Sequence, residues 1–171
     1  MAEARRADFD DFVAARGQTL QRFAFLVTGD WALAEDLLQA ALARVYPRWG
    51  RIEREDPEGY VRKVIINTWS SWRRRRWHGE VPAETLPDSA GRDVYEDADR
   101  RQVVRVALAG LPPRQRLVLV LRFHLDLSEQ NVAGLLGVSV GTVKSQVAKG
   151  LAHLRADGLL DSYRDSPAGG G

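Results

Sequence analysis

Residues 127–155, LSEQNVAGLLGVSVGTVKSQVAKGLAHLR, decide the architecture of this chain. Ser128 stands where a hydroxyl can cap a helix carrying Val132, Ala133, Leu135 and Leu136, and Gly137 supplies a tight turn that a side chain would obstruct. Ser139 then caps a second helix. Its spacing buries Val143, Val147, Leu151 and Leu154 and leaves Thr142, Lys144, Ser145, Gln146 and Lys149 outward. Donors and acceptors of this size suit a major groove: Gln146 matches adenine edges, and Lys144 and Lys149 match phosphate or guanine. The free amides at the start of the helix suit a further phosphate. The pattern predicts a helix-turn-helix that reads DNA. Two short helices joined by a glycine turn also describe a packing hairpin, which is the competing reading.

Working outward, the chain has 171 residues, enough for one ordinary domain or two small ones. It has no cysteine, which excludes disulfides, thiolate zinc sites and a cysteine nucleophile. No run of about 18 apolar residues appears, and Met1 to Asp10 is charged rather than signal-like. A cytoplasmic protein, neither exported nor membrane-spanning, is expected. Formal net charge is only +2, but it is unevenly distributed. Between Gly79 and Asp99, Glu80, Glu84, Asp88, Asp93, Glu96, Asp97 and Asp99 face only Arg92, while the segments on either side are basic.

Phe9, Phe12, Val13, Leu20, Phe23, Ala24 and Val27 recur at helical spacing up to a stop at Gly29. A second helix follows from Trp31 to Tyr46, with Ala34, Leu37, Leu38, Ala41 and Val45 on one side, and Pro47 ends it. Asp56 and Pro57 start a long third helix whose stripe is Val61, Val64, Ile65, Thr68, Trp69 and Trp72. That helix runs into Arg73, Arg74, Arg75 and Arg76, either a solvated basic helix end favoured by the macrodipole or a set of phosphate contacts. Asn67 offers an amide to a base edge. Trp69 and Trp72 fit core packing better than base stacking, and Trp77 lies outside the stripe. Residues 79–99 have no apolar period and read as an acidic linker. Beyond it come a helix through Val103, Val104 and Leu108, a break at Leu111-Pro112-Pro113 and an apolar helix ending near His124. The expected fold is all-α, with small helical domains at 1–78 and 100–158, a flexible linker at 79–99 and a flexible tail at 159–171.

Several of these segments together resemble one family, the extracytoplasmic-function (group 4) sigma-70 family RNA polymerase sigma factors, particularly their actinobacterial sigma-E-like members. Ala34-Glu35-Asp36-Leu37-Leu38-Gln39 is similar to the core-binding helix of region 2. Asp56-Pro57-Glu58-Gly59-Tyr60-Val61-Arg62-Lys63, continuing through Asn67 to Arg76, resembles its minus-ten-reading helix. Leu111-Pro112-Pro113-Arg114-Gln115-Arg116, Leu127-Ser128-Glu129 and Val138 to Ser145 resemble region 4. The resemblance implies a protein that binds core RNA polymerase and directs promoter recognition, melting and transcription initiation. Glu35, Asp36, Leu37, Leu38 and Gln39 would dock on the clamp helices of the largest polymerase subunit, and region 4 would meet the flap of the second largest. Arg62, Lys63, Asn67 and Arg73 to Arg76, with the loop around Trp49 to Asp56, would engage the minus-ten element. Thr142, Lys144, Ser145, Gln146 and Lys149 would engage the minus-thirty-five element. An anti-sigma protein is a further partner common in the family.

Three positions depart from the pattern: Ala40 where the core-binding motif usually has a glutamate, and Gln146 and Lys149 where many members carry arginines. A stand-alone helix-turn-helix regulator or a helical adaptor are the alternatives. An enzyme fits worst: His78, His124 and His153 are scattered, with no metal-spaced pair and no phosphate-binding glycine loop, so neither metal nor cofactor is expected.

Overall fold

The computed structural model describes residues 1–52, 55–77 and 100–158, and the chain divides into two compact units, Met1–Ser89 and Ala90–Gly171. Among the described residues there is no strand. The expected acidic linker at 79–99 and the tail at 159–171 lie outside the described residues, as do the side chains of Arg76 and Trp77.

Among its described residues the first unit has three α-helices. Helix α1 spans Ala2–Thr28 and stops at Gly29, whose φ of 73° is left-handed and whose N–H returns to the Phe25 carbonyl. The Asp30 carboxylate accepts the Leu33 amide at 2.9 Å and so starts α2, Trp31–Val45. Helix α3, Pro57–Trp77, begins the same way, with the Gly59 amide 2.8 Å from the Asp56 carboxylate. The three pack around Leu20, Phe23, Val27, Leu37, Val45, Val61, Ile65 and Ile66, all at most 2% exposed. Burying side chains of this size stabilises by roughly 1.5–3 kcal/mol each before chain entropy is charged against them. Trp69 belongs to this core at 3% exposed, while Trp72 and Val64 are half-buried.

The loop expected from Trp49 to Asp56 begins within a helical turn that continues from α2. Tyr46–Arg51 is a 3-10 helix, and the Trp49 ring is buried against Phe9 and Phe12 with centroids 5.2 and 4.8 Å away. Its indole N–H donates to the Asp8 carboxylate at 2.9 Å, so the exposed start of α1 is tied down by an aromatic from 41 residues away.

The second unit begins with α4, Arg100–Ala109, and α5, Pro113–Leu119, which passes into a wider π turn over Val120–His124. Between α4 and α5 the buried Arg116 guanidinium donates to the carbonyls of Leu108, Ala109 and Leu111, satisfying the end of α4. Helices α6, Glu129–Leu136, and α7, Val140–Ala156, follow, and α7 packs on both α5 and α6. Its core joins Ala107, Leu111, Leu119 and Leu154, with Leu108, Val147 and Leu151 against them.

Candidate nucleic-acid interface

Helices α6 and α7 form the expected motif, and its local chemistry is what the sequence asks for. The Ser128 hydroxyl accepts the Asn131 amide at 3.1 Å, and the Ser139 hydroxyl accepts the Thr142 amide at 3.1 Å. Gly137 sits between them at φ 66°, a conformation a β-carbon strains. Val143 is fully buried, Leu154 nearly so, and Val147 and Leu151 are half-buried, which turns the opposite side of α7 outward.

On that outward side Ser145 and Lys149 are exposed and Gln146 is half-buried. From Thr142 to Lys149 is about 10 Å along a helix, close to the width of a major groove. Two of the five expected readers are already engaged. The Thr142 hydroxyl is 2.9 Å from that of Ser139, within the cap itself. The Lys144 ammonium lies 3.8 Å from the Glu129 carboxylate of α6, on the other flank of α7 from Gln146. Gly150 lets α7 come close to α5, since a β-carbon there would lie 2.9 Å from Leu119 Cδ1.

In the first unit Lys63, Asn67 and Arg74 are exposed and share one stripe of α3 at intervals of four and seven residues. Arg75 is exposed beside it, and Arg73 is half-buried with its guanidinium 5.8 Å from the Trp69 ring centroid. Arg62 stands apart. It pairs with Glu58, which also faces Arg16 at 3.6 Å, and it covers the Phe23 ring at 5.8 Å, so it braces α3 against α1. Beside Lys63 opens a cleft of about 550 Å³ lined by Arg48, Arg51, Ile52, Glu55, Asp56, Gly59, Tyr60 and Lys63. Of these, Arg51 lies in the loop from Trp49 to Asp56 and Tyr60 in the Asp56–Lys63 segment that the sequence points to, whereas Arg48 is outside both and its signal is its place beside Trp49.

The expected polymerase-docking set on α2 divides. Glu35, Asp36 and Gln39 are exposed. Leu37 and Leu38 are 0% and 3% exposed and belong to the core, because an apolar pair on a helix against two neighbours is drawn inward. They hold α2 in place from the core side, while Glu35, Asp36 and Gln39 of the same expected set stand at the surface. Trp31, 37% exposed, stacks on Phe25 at 4.1 Å and borders the exposed face. Among the described residues no group of acidic and histidine side chains is arranged to hold a metal ion, and no helix is long and apolar enough to cross a membrane.

A three-helix unit with a basic stripe, followed by a capped helix-turn-helix unit, defines a two-part helical DNA-binding protein. The sigma-70 region 2 family matches residues 12–79, and the sigma-70 region 4 family matches residues 101–154. An RNA polymerase sigma-E factor of Streptomyces coelicolor is 42% identical over 151 residues, covering 88% of this chain and 85% of that protein. One from Streptomyces avermitilis is 40% identical over 158 residues, covering 92% and 88%. The sigma factor RpoE of Bartonella quintana, solved in complex with the anti-sigma factor NepR, shares the fold. Its TM-score is 0.59 at 23% identity, covering 90% of this chain and 97% of that one. This chain belongs to the extracytoplasmic-function branch of the sigma-70 family. Its activity is that of the family, promoter recognition and transcription initiation with RNA polymerase.

Proposed function

We propose that the two units divide promoter recognition between them, residues 1–78 taking core polymerase and the minus-ten element and residues 100–158 taking the minus-thirty-five element. The observation that carries this reading is the surface of α7, where Ser145, Gln146 and Lys149 stand on the outward side of a helix capped at Ser139 and seated on a packed unit. Gln146 and Ser145 discriminate bases, while Lys149 and the half-committed Lys144 hold phosphate. Thr142 contributes mainly through the cap. Lys63, Asn67, Arg74 and Arg75 lie along the opened minus-ten strand, with Arg73 and Arg76 extending the basic end of α3. The cleft bordered by Arg48, Arg51, Tyr60 and Lys63 receives an unpaired nucleotide. Arg62 acts through α3, as its pairing with Glu58 leaves it a bracing role.

Core polymerase docks on Glu35, Asp36 and Gln39 through its clamp helices, with Trp31 at the border of the face, and its flap meets the second unit. The linker at 79–99 permits the two DNA contacts without fixing their spacing, which the polymerase supplies. The chain works in the cytoplasm, carries no catalytic group of its own, and binds an anti-sigma protein, a partner class seen in the structural relative solved in complex with NepR. Site-specific photocrosslinkers at positions 36, 67 and 146 in the holoenzyme test the division. Crosslinks to the largest polymerase subunit, the minus-ten strand and the minus-thirty-five duplex, in that order, are the expected result. A crosslink from 146 to polymerase instead of DNA refutes it.

A further inference from the structure

One contact near the end of α7 is not used by the groove reading. His153 Nδ1 lies 2.6 Å from Gln115 Oε1 of α5. Gln115 is 7% exposed, and its Cβ would be 3.4 Å from a β-carbon at Gly150, so this side chain is wedged beneath α7. An amide oxygen only accepts, so Nδ1 carries the proton and Nε2 is the nitrogen left facing outward from an exposed residue. His153 is one helical turn beyond Lys149 and two beyond Gln146 on the same flank of α7. It is also about 12 Å along the axis from Ser145, which is one major-groove width. A helix that reads bases with its first turns therefore brings His153 to the sugar-phosphate wall on the far side.

We propose that His153, aimed by Gln115, is a further DNA-phosphate contact of α7 and makes that contact as the imidazolium. The inference rests on the groove reading of α7 given above. A phosphate oxygen accepts and does not donate, so the contact needs a proton on Nε2 while Nδ1–H stays on Gln115. The ring gains that proton without breaking the bond that orients it. Histidine is the side chain that changes charge between about pH 5 and 8, so the contact grades affinity for the minus-thirty-five duplex with pH. The charged groups around it are Lys149 and Asp157, one turn to either side on α7, and Arg114 and Arg116 flanking Gln115 on α5. The Arg116 guanidinium is committed to the carbonyls of Leu108, Ala109 and Leu111.

The test is the salt dependence of binding, measured on holoenzyme assembled from core polymerase and the full chain, with a fluorescent promoter fragment from which that holoenzyme initiates. Each phosphate neutralised adds about 0.9 to the slope of log affinity against log salt. The parent holoenzyme is expected to have a steeper slope by about that amount near pH 6 than near pH 8. His153→Ala loses the difference, and His153→Arg shows the steep slope at both. Gln115→Glu keeps the acceptor and adds a carboxylate beside Nδ1, so its steep slope persists to higher pH, which a purely packing role for position 115 does not produce. A His153→Ala holoenzyme with the parent's slope near pH 6 overturns the proposal. Lys149→Ala separates the two levels, since it should lose about 0.9 at both pH values. If Lys149→Ala responds and His153→Ala does not, the His153 contact alone is wrong. If neither responds, the groove reading of α7 fails and the proposal with it.

Discussion

Two glycine-to-alanine substitutions in the second unit should have opposite signs. At Gly150 an added β-carbon would meet Leu119 Cδ1 at 2.9 Å, Leu119 Cγ at 3.2 Å and Gln115 Cβ at 3.4 Å. Leu119 cannot swing away cheaply, because it is 3% exposed and packed among Ala107, Leu111 and Leu154. Overpacking of this kind costs roughly 1–3 kcal/mol, and the close approach at Cγ as well as Cδ1 argues for the upper half of that range. Alanine returns about 1 kcal/mol of helix propensity, so the net loss is about 1–2 kcal/mol. At about 4–8 °C per kcal/mol for a domain of this size, the second unit's melting temperature should fall by roughly 5–15 °C. At Gly134 nothing lies within 4 Å of the same added atom, so only the propensity gain remains and the melt should rise by a few degrees. Thermal unfolding of the full chain by circular dichroism measures both. The five tryptophans at 31, 49, 69, 72 and 77 all lie in the first unit, so tryptophan fluorescence serves as an internal control that neither substitution should move. A Gly150→Ala protein as stable as Gly134→Ala would refute the close packing of α7 on α5.

Asp30→Ala removes the cap of α2 and should cost about 1 kcal/mol of first-unit stability, read by urea unfolding followed through tryptophan fluorescence. On α2, Leu37→Ala should destabilise by roughly 2–5 kcal/mol, whereas Asp36→Ala and Gln39→Ala should leave the melt unchanged and weaken binding to core polymerase, measured by fluorescence anisotropy. Gln146→Ala should alter which promoters are chosen, while neutralising Arg74 and Arg75 together should weaken all promoters alike and lower the salt slope by about 1.4, the value for two phosphate contacts on a single strand, as sequencing of transcripts and binding titrations resolve.

What was legible in the sequence was mostly local. The caps at Asp56, Ser128 and Ser139 and the left-handed stops at Gly29 and Gly137 each depend on a few adjacent residues, so they could be placed without knowing the partners. The apolar stripe of α3 was likewise readable, although Ile66 also turned out to be buried because α3 meets two helices rather than one. Contacts between distant residues were not legible. Nothing near Trp49 in the chain indicates Asp8, and nothing near Gly150 indicates Leu119. The docking motif on α2 mixes two roles within five residues: Leu37 and Leu38 maintain the core, while Glu35, Asp36 and Gln39 face solvent. A motif read as a unit hides that division, and only the helical phase of the neighbouring elements separates it. The contacts of Thr142 with Ser139 and of Lys144 with Glu129 were not legible for a similar reason, since they become visible only when the cap and the two helices α6 and α7 are folded.

The central claim is tested most directly by run-off transcription from a library of promoter fragments, using core RNA polymerase with and without this chain and sequencing the products. The account predicts transcripts that depend on the chain and start downstream of a shared pair of elements at fixed spacing. Binding of the chain to DNA with no chain-dependent initiation from any fragment would contradict it.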